Sequence, residues 1–396
     1  MGNLIEIIVW VIQFVIGFHL ITPLILYLLF RIRKRVNQSE QKEVSVGDYA
    51  VIITAYEQTS LLPDVVASVL RLDHPNFLVY VVADNCDISD LSFEDDRVRV
   101  LRPEQVLSNN VKSHFYAIRH FRRPHDRLTI IDSDNIVDAQ YLRELDKCFD
   151  LGYQAVQGVR KAKNLNTMYA RLDAARDIYY HFYDGKVLFG AGSSATLAGS
   201  GMAFTTTLYQ TCLEQLEISG AGFDKVLQYE IVKRNIRIAF TEKAVVFDEK
   251  TAYSDQLVKQ RARWINTWFK YVNYGYVLTI KGIQNISVNQ LLFGIILVRP
   301  PLFILLGLAV ASLIINLFFV PIASIIWFIG LIAFIFGFFL SLMMSPTDRM
   351  IYRSLMGIPS FVYYQLISLT KSKEANRISV ATKHYSHETV EDIANK

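Results

Sequence analysis

The sequence predicts an α/β domain built on a parallel sheet and set between hydrophobic segments long enough to cross a membrane. Three observations predict it. From about residue 48 to about residue 275, short apolar β-rich runs alternate with amphipathic stretches, the pattern of βαβ units. Acidic residues fall where several of those runs end, the place where open α/β sheets bind their ligands. The hydrophobic content is 52%, and its excess lies at the two ends of the 396-residue chain.

At the N-terminal end, Ile7 to Phe30 is almost wholly apolar. At about 1.5 Å per residue it reaches across a hydrocarbon core of about 30 Å. Arg31, Arg33, Lys34 and Arg35 follow it, which marks that side as cytoplasmic and puts the N-terminus outside. A cleaved signal peptide would need positive charge before the apolar run and a small-residue site after it, and neither is present. Glu6, Gln13 and His19 are polar residues in or beside this span, expected to pack against neighbouring helices or to lie near the interface. Leu302 to Phe319 and Ile325 to Met344 read as a hairpin of two more spans joined around Pro321. Three crossings leave the middle of the chain and its tail inside, in agreement with Lys371, Lys373, Arg377 and Lys383. Leu291 to Val298 and Tyr352 to Leu369, interrupted by Arg299-Pro300-Pro301 and by Pro359, read as helices lying in the membrane interface. A fourth span made from the second of these would move the tail outside.

The organisation expected is therefore a membrane helix with its basic flank (1–36), a cytosolic α/β domain (48–275), an interfacial helix (283–299), a membrane hairpin (302–344), and an interfacial helix with a cytosolic tail (351–396). Cys86, Cys148 and Cys212 have neither metal-ligand spacing nor even pairing, which fits a reducing compartment. Basic residues neither cluster on a periodic face nor alternate with aromatics, so no nucleic-acid partner is implied.

Within the middle, Tyr49 to Thr54 reads as a buried strand and Leu61 to Leu70 as a helix. Phe77 to Ala83 is a second strand, ending at Asp84, and Val98 to Leu101 a third. Asn110 to Arg119 suits a helix, and Arg127 to Ile131 is a strand running into Asp132-Ser133-Asp134. Two carboxylates on a turn at a sheet edge suit a hard divalent cation bridging a diphosphate, although a lone D-x-D is also an ordinary helix-capping turn. Asp84 can accept hydrogen bonds from a ribose or a base, or simply form a turn. Lys112 can pair with phosphate oxygens, or be a surface lysine. Gly199-Ser200-Gly201 would let backbone approach a ligand, or make a plain turn. Asp224 begins a helix, as an N-cap or as a general base in a cleft. Gln260 to Trp264 lies on a helix before the hairpin, where Arg263 can clamp phosphate and Trp264 can stack on a sugar ring, or both can mark the membrane interface.

The order of these pieces, from Asp84 through Asp132-Ser-Asp134, Gly199-Ser-Gly201 and Asp224 to Gln260-x-x-Arg263-Trp264 followed by membrane helices, resembles glycosyltransferase family two. It looks most like the membrane-bound branch of cellulose, chitin and hyaluronan synthases and ceramide glucosyltransferases. The resemblance covers about Tyr49 to Trp268, and the Q-x-x-R-W element is its most specific piece. It implies a GT-A nucleotide-diphospho-sugar transferase domain with a mixed, mainly parallel sheet, and an inverting, metal-dependent transfer with Mg2+ or Mn2+ at Asp132 and Asp134. Tyr56, Glu57, Asp84, Lys112 and Asp132 would face the donor, with Gln260, Arg263 and Trp264. Gly199, Ser200, Gly201 and Trp264 would line the acceptor side, and Asp224 would be the catalytic base. Two departures stand out. The family's P-x-Y-N-E is here Thr54-Ala55-Tyr56-Glu57-Gln58, and the Glu before the catalytic Asp is Phe223, which leaves Glu230 as an alternative base.

The resemblance implies transfer from a nucleotide-sugar, with a UDP-sugar expected, to a lipid-linked or growing polysaccharide acceptor at the plasma or inner membrane. Envelope-assembly proteins and membrane lipids are its expected partners. A processive polysaccharide synthase and an inactive scaffold of a glycan-assembly complex are the alternatives. A membrane nucleotidyltransferase would also use a D-x-D pair but gives no reason for the Gln260 to Trp264 element.

Overall fold

The computed structural model describes residues 2–34 and 45–375; Arg35, Arg377 and Lys383 lie outside them. A helix α1 (Gly2–Lys34) precedes a sheet of β1 (Tyr49–Tyr56), β2 (Phe77–Asp84), β3 (Val98–Leu101), β4 (Arg127–Asp132), β5 (Ile136–Val137), β6 (Ala155–Ala162), β7 (Met202–Thr205) and β8 (Ile238–Asp248). The strand order is β3-β2-β1-β4-β7-β6-β8-β5. The first four strands run parallel, as do β6 and β8, whereas β7 is antiparallel to β4 and β6, and β5 to β8. The register sets Tyr56 opposite Asp84 and Thr54 opposite Asp132, so the ends of three strands form one edge.

Alternation of side chains along β1 feeds two cores. Tyr49, Val51 and Ile53 pack with α2 (Leu62–Leu70) and α4 (Tyr141–Asp150) on one face. Ala50 and Ile52 share the other face with α3 (Asn110–Arg119), α7 (Thr206–Leu213) and α8 (Phe223–Lys233). This second core does not stop at the domain. It continues through α5 (Met168–Tyr180), a π-helical stretch (His181–Val187) and α6 (Leu188–Gly190) into Leu20 and Leu26 of α1. It ends among Leu305 of α11 (Leu302–Phe319) and Trp327 of α12 (Pro321–Met343).

The long helix α9 (Ser254–Gln284) passes residue 275 without a break and turns back as α10 (Val288–Val298). Backbone meets backbone there, since a Cβ on Gly282 would stand 2.3 Å from Leu291 N and one on Gly294 2.5 Å from Thr279 N. The chain ends in α13 (Arg349–Ser354) and α14 (Ile358–Thr370). Pro321 joins the two spans as expected, whereas Pro359 does not interrupt its helix. Pro321 is the first residue of α12 and Pro359 sits in the first turn of α14, positions where a missing N–H costs nothing. The break expected at Pro359 comes earlier, at a 3-10 turn over Leu355–Gly357.

Three helices are long and apolar enough to span a membrane: Leu4–Arg33, Leu302–Phe319 and Pro321–Met343. The Gln13 Oε1 accepts hydrogen bonds from Asn316 Nδ2 at 2.7 Å and Trp327 Nε1 at 2.9 Å, so this polar residue ties the three together. Glu6 is exposed near the start of α1, and His19 is buried in the bundle.

Two consequences are measurable. Gly201 precedes β7 at φ +67, and a Cβ there would stand 2.3 Å from Val246 Cγ2. Gly201→Ala should therefore destabilise the protein by about 2 kcal/mol or more, read as a lowered thermal midpoint. Separately, burial pushes His114 and His181 down to about 3 from 6.5. Both stay neutral when folded, whereas the unfolded chain takes up their protons below the ordinary value. Stability is then complete above pH 6.5 and declines as pH falls towards 3, by up to about 1.4 kcal/mol per pH unit for each histidine. The thermal midpoint should drop steadily from pH 6.5 to 4.5, and His114→Gln should flatten that drop; an unchanged profile would contradict the assignment.

Candidate active site

The turn after β4 is built from beneath. Ser200 Oγ accepts hydrogen bonds from Asp132 N at 3.1 Å and from Asn135 Nδ2 at 2.7 Å. Gln157 Nε2 donates to Ser200 O at 3.1 Å, its Oε1 accepts from Ala198 N at 2.9 Å, and the buried Lys163 Nζ donates to Asp134 O at 3.3 Å. These contacts fix Asp132 and Asp134 on the wall of a cavity of about 1280 Å3. Gly199 lines the same cavity, at φ +88. Ser200 and Gly201 do not: Ser200 is wholly buried under the D-x-D turn, and Gly201 faces Val246. Their part is to shape the floor, because the hydroxyl is consumed by the turn above it.

The carboxylate of Asp84 accepts from Leu107 N at 2.9 Å and Ser108 N at 2.7 Å, so it anchors the loop that leads into α3. It lines a small recess beside the main cavity, shared with Tyr56, Ser108 and Asn109. Tyr56 and Gln58 reach the main cavity, whereas Glu57 turns out to solvent at φ +59 and accepts from Asn85 Nδ2. Lys112 is exposed on α3 and is not on the cavity wall, because Val111, His114 and Phe115 take the buried face of the helix.

Asp224 lies in the first turn of α8, whose cap, Gly222, has φ +96 and presses on Thr267 and Tyr271 of α9. It lines the cavity, with Lys225 Nζ 3.0 Å from its Oδ2; the same ammonium donates to Leu197 O at 3.0 Å. Glu230 is not on the wall. One and a half turns on, it is paired with Arg234 and Lys233, so helical geometry removes it as an alternative base.

On α9, Gln260, Arg263 and Trp264 all line the cavity. Gln260 Oε1 accepts from Thr251 Oγ1 at 2.9 Å. Trp264 carries guanidinium groups 4.2 Å (Arg176) and 3.9 Å (Arg261) from its ring centre. Behind it lies a buried lattice of charge that the sequence reading missed. Arg261 pairs with Asp173, Lys250 bridges Asp177 and Asp248, and Arg160 lies 3.5 Å from Asp177 and from Asp248. Burial and the neighbouring Arg176 pull the Arg261 guanidinium down to about 10. Lys250, Arg176 and Arg160 hold the Asp177 carboxyl well below its usual range against the opposing effect of burial. The signal was present: Asp173, Arg176 and Asp177 share one face of α5 at helical spacing, and Asp248 ends a strand as Asp84 and Asp132 do.

From Asp132 the cavity runs past Asp224 and Trp264 to the apolar side chains of Phe303, Leu306, Leu331 and Phe338 on α11 and α12, and Phe361 on α14. Asp184 and Arg299 also line the cavity, as a buried ion pair. Burial pushes the Asp184 carboxyl up, and Arg299 opposes that. Asp132 and Asp134 supply the oxygen donors a hard divalent cation takes. Among the described residues no three His, Cys, Asp or Glu side chains gather as a metal cage. Two carboxylates are nonetheless what Mg2+ sites commonly use, the rest of the shell being water and substrate phosphate, so the donor set fits.

The architecture resembles a solved glycosyltransferase. A mannosyltransferase, PcManGT from Pyrobaculum calidifontis, solved with GDP-Man and Mn2+, matches at a TM-score of 0.56 and 14% identity, over 90% of this chain and 98% of that one. TarS from S. aureus matches at a TM-score of 0.38 and 17% identity, over 54% of this chain and 39% of that one. No curated protein sequence matches. Residues 47–267 match the family model described as "Glycosyltransferase like family 2". With that match over more than half its length, and with a GT-A type fold, the chain belongs to glycosyltransferase family 2, whose members use nucleotide-sugar donors.

Proposed function

We propose that this chain transfers a sugar, with inversion, from a nucleotide-sugar to a lipid-linked acceptor that enters from the membrane. One observation carries the reading: a single cavity joins the D-x-D carboxylates, Asp224 and the apolar faces of α11, α12 and α14. An acceptor with a polar head and an apolar chain matches both ends of it. In this reading residues 48–275 lie in the cytosol and the N-terminus outside, as the basic residues in the last turn of α1 favour.

Lys225 engages Asp224 Oδ2, and the other carboxylate oxygen receives the proton of an acceptor hydroxyl. The acceptor hydroxyl's own oxygen attacks the anomeric carbon from the face opposite the nucleoside diphosphate, and the bond to the leaving phosphate oxygen breaks. A divalent cation held by Asp132 and Asp134 would offset the charge that gathers on the diphosphate. Arg263 and Gln260 reach the donor from α9, and Trp264 offers a ring face to a sugar. Tyr56 and Gln58 lie on the nucleotide side, with Asp84 positioning the adjoining loop. The solved mannosyltransferase holds GDP-Man with Mn2+, so GDP-sugars stand beside UDP-sugars as donors to test.

The test is a panel of UDP- and GDP-sugars with Mg2+ or Mn2+, offered to detergent-solubilised protein and read as nucleoside diphosphate released. Asp224→Asn should lower the rate by about 10²–10⁴ while nucleotide affinity holds, and Asp132→Asn should weaken metal-dependent nucleotide binding. Activity of Asp224→Asn at the unsubstituted rate would remove Asp224 from its role. A scaffold would turn over no donor at all.

A further inference from the structure

Three helices each give the apolar part of the cavity one face. Leu306 and Val310 of α11 line it, as do Leu331, Phe334 and Phe338 of α12. Ile358, Phe361 and Val362 line it from α14. Spacings of three, four and seven residues belong to a single helix face. The hairpin of α11 and α12 packs on itself and on α1, whereas α14 packs mainly on α9. The hairpin and α14 therefore wall the same cavity while resting on different partners. From α11 to α14, every side chain on the wall except Gln365 is apolar.

Apart from Trp264, the exposed residues of the whole wall fall into two groups. Ser108, Asn110, Gly220 and Ala221 belong to the catalytic domain. Val310, Ile335, Phe339, Met356 and Ile358 belong to α11, α12 and the connection between α13 and α14, and are 39–91% exposed. All five are apolar. An exposed apolar edge on helices long enough to span a membrane meets hydrocarbon and not water.

The apolar wall is also confined to the ends of the two spans remote from the hairpin tip at Val320. It runs from Leu302 to Val310 on α11 and from Leu331 to Phe339 on α12, about 12 Å of each helix. No residue from 311 to 330 lines the cavity. Since α11 has 18 residues, about 27 Å, the cavity is blind near the middle of a hydrocarbon core of about 30 Å.

We infer that the gap between α14 and the α11–α12 hairpin is a lateral entry for the hydrocarbon chain of the acceptor, taken from the leaflet beside the catalytic domain and held no deeper than that leaflet. This rests on the lipid-acceptor reading above and adds where the chain lies. A string of sugars would find one polar side chain on this wall, Gln365, so the occupant is a lipid chain and not a polymer in transit. The sugar is added at the polar end while its carrier stays in one leaflet, and the glycosylated lipid leaves sideways. Carrying that product across the bilayer is then a separate reaction, performed by a lipid translocator.

The test uses the full chain in phosphatidylcholine vesicles doped with a diacylglycerol bearing a photoactivatable diazirine and an alkyne on one chain, read by mass spectrometry of labelled peptides. Phe334 and Phe361 line the cavity but are only 8% and 6% exposed, so label on them reports a chain inside it. Both should be labelled, whereas Leu20 and Ala309, buried away from the cavity, should not be. Val310→Trp and Ile335→Trp narrow the entry from exposed positions. Each should lower the label on Phe334 and Phe361 about fivefold or more, with label on the exposed Phe318 unchanged. In vesicles carrying NBD-phosphatidylcholine, dithionite should bleach no more lipid than in protein-free vesicles. Absence of label on Phe334 and Phe361, label unmoved by both tryptophans, or bleaching beyond the protein-free level would overturn the inference. Should Mn2+-dependent binding of UDP and GDP be absent, or ignore Asp132→Asn, while the labelling behaves as expected, the transferase reading fails and the lipid entry stands.

Discussion

Lys250 stands between the carboxylates of Asp177 and Asp248, 2.5 Å from each, and is almost wholly buried. That placement ties α5 to the carboxyl end of β8. Arg261 extends the lattice to α9 through Asp173, and Arg160 adds the end of β6. Charges taken this far out of water are stable only when every partner is in place, and removing one partner of a buried pair costs about 3–5 kcal/mol. Four elements of different origin are thus held at one angle. Trp264, Gln260 and Arg263 on α9 share one cavity wall with the D-x-D turn.

A second constraint works at right angles to the first. The core beneath the sheet continues without interruption into α1, α11 and α12, so the domain and the membrane helices share one packed interior. Phe30 lies against Gly190 and Arg33 against Gly192, where a Cβ would collide with either. Apolar packing of this kind is costly to separate. The cavity's chemical end is therefore held at a fixed place relative to its apolar end. The two constraints together explain why one opening carries both carboxylates and lipid-like walls.

The sequence made much of the fold readable. Strand β3, helix α3 and span α11 have the bounds their residues imply, since each is a short, cleanly patterned run with polar or Pro boundaries. The site was legible where a motif sits on a strand end or a helix face, as with Asp132, Asp134, Asp224 and Trp264, which line one cavity. It was misleading where a residue's spacing says nothing of its direction. Ser200 carries a donor and acceptor that could serve a ligand, yet it turns beneath the D-x-D. Lys112 sits in a suitable stretch, yet its neighbours Val111, His114 and Phe115 take the buried face of α3 and leave it to solvent.

By itself, the sequence determined the alternation of strands and helices, the three apolar spans and the order of the motif residues, because these follow from local periodicity and from charge. Only the tertiary structure decided which of those residues meet. The parallel register places Thr54 opposite Asp132 and Tyr56 opposite Asp84, and the buried ion lattice brings α5 and α9 over that edge. Asp184 and Arg299, 115 residues apart, have no pattern connecting them in the chain. They become a pair because a π-helical turn and the residue after α10 meet in the interior, where a charge stripped of water must find its opposite.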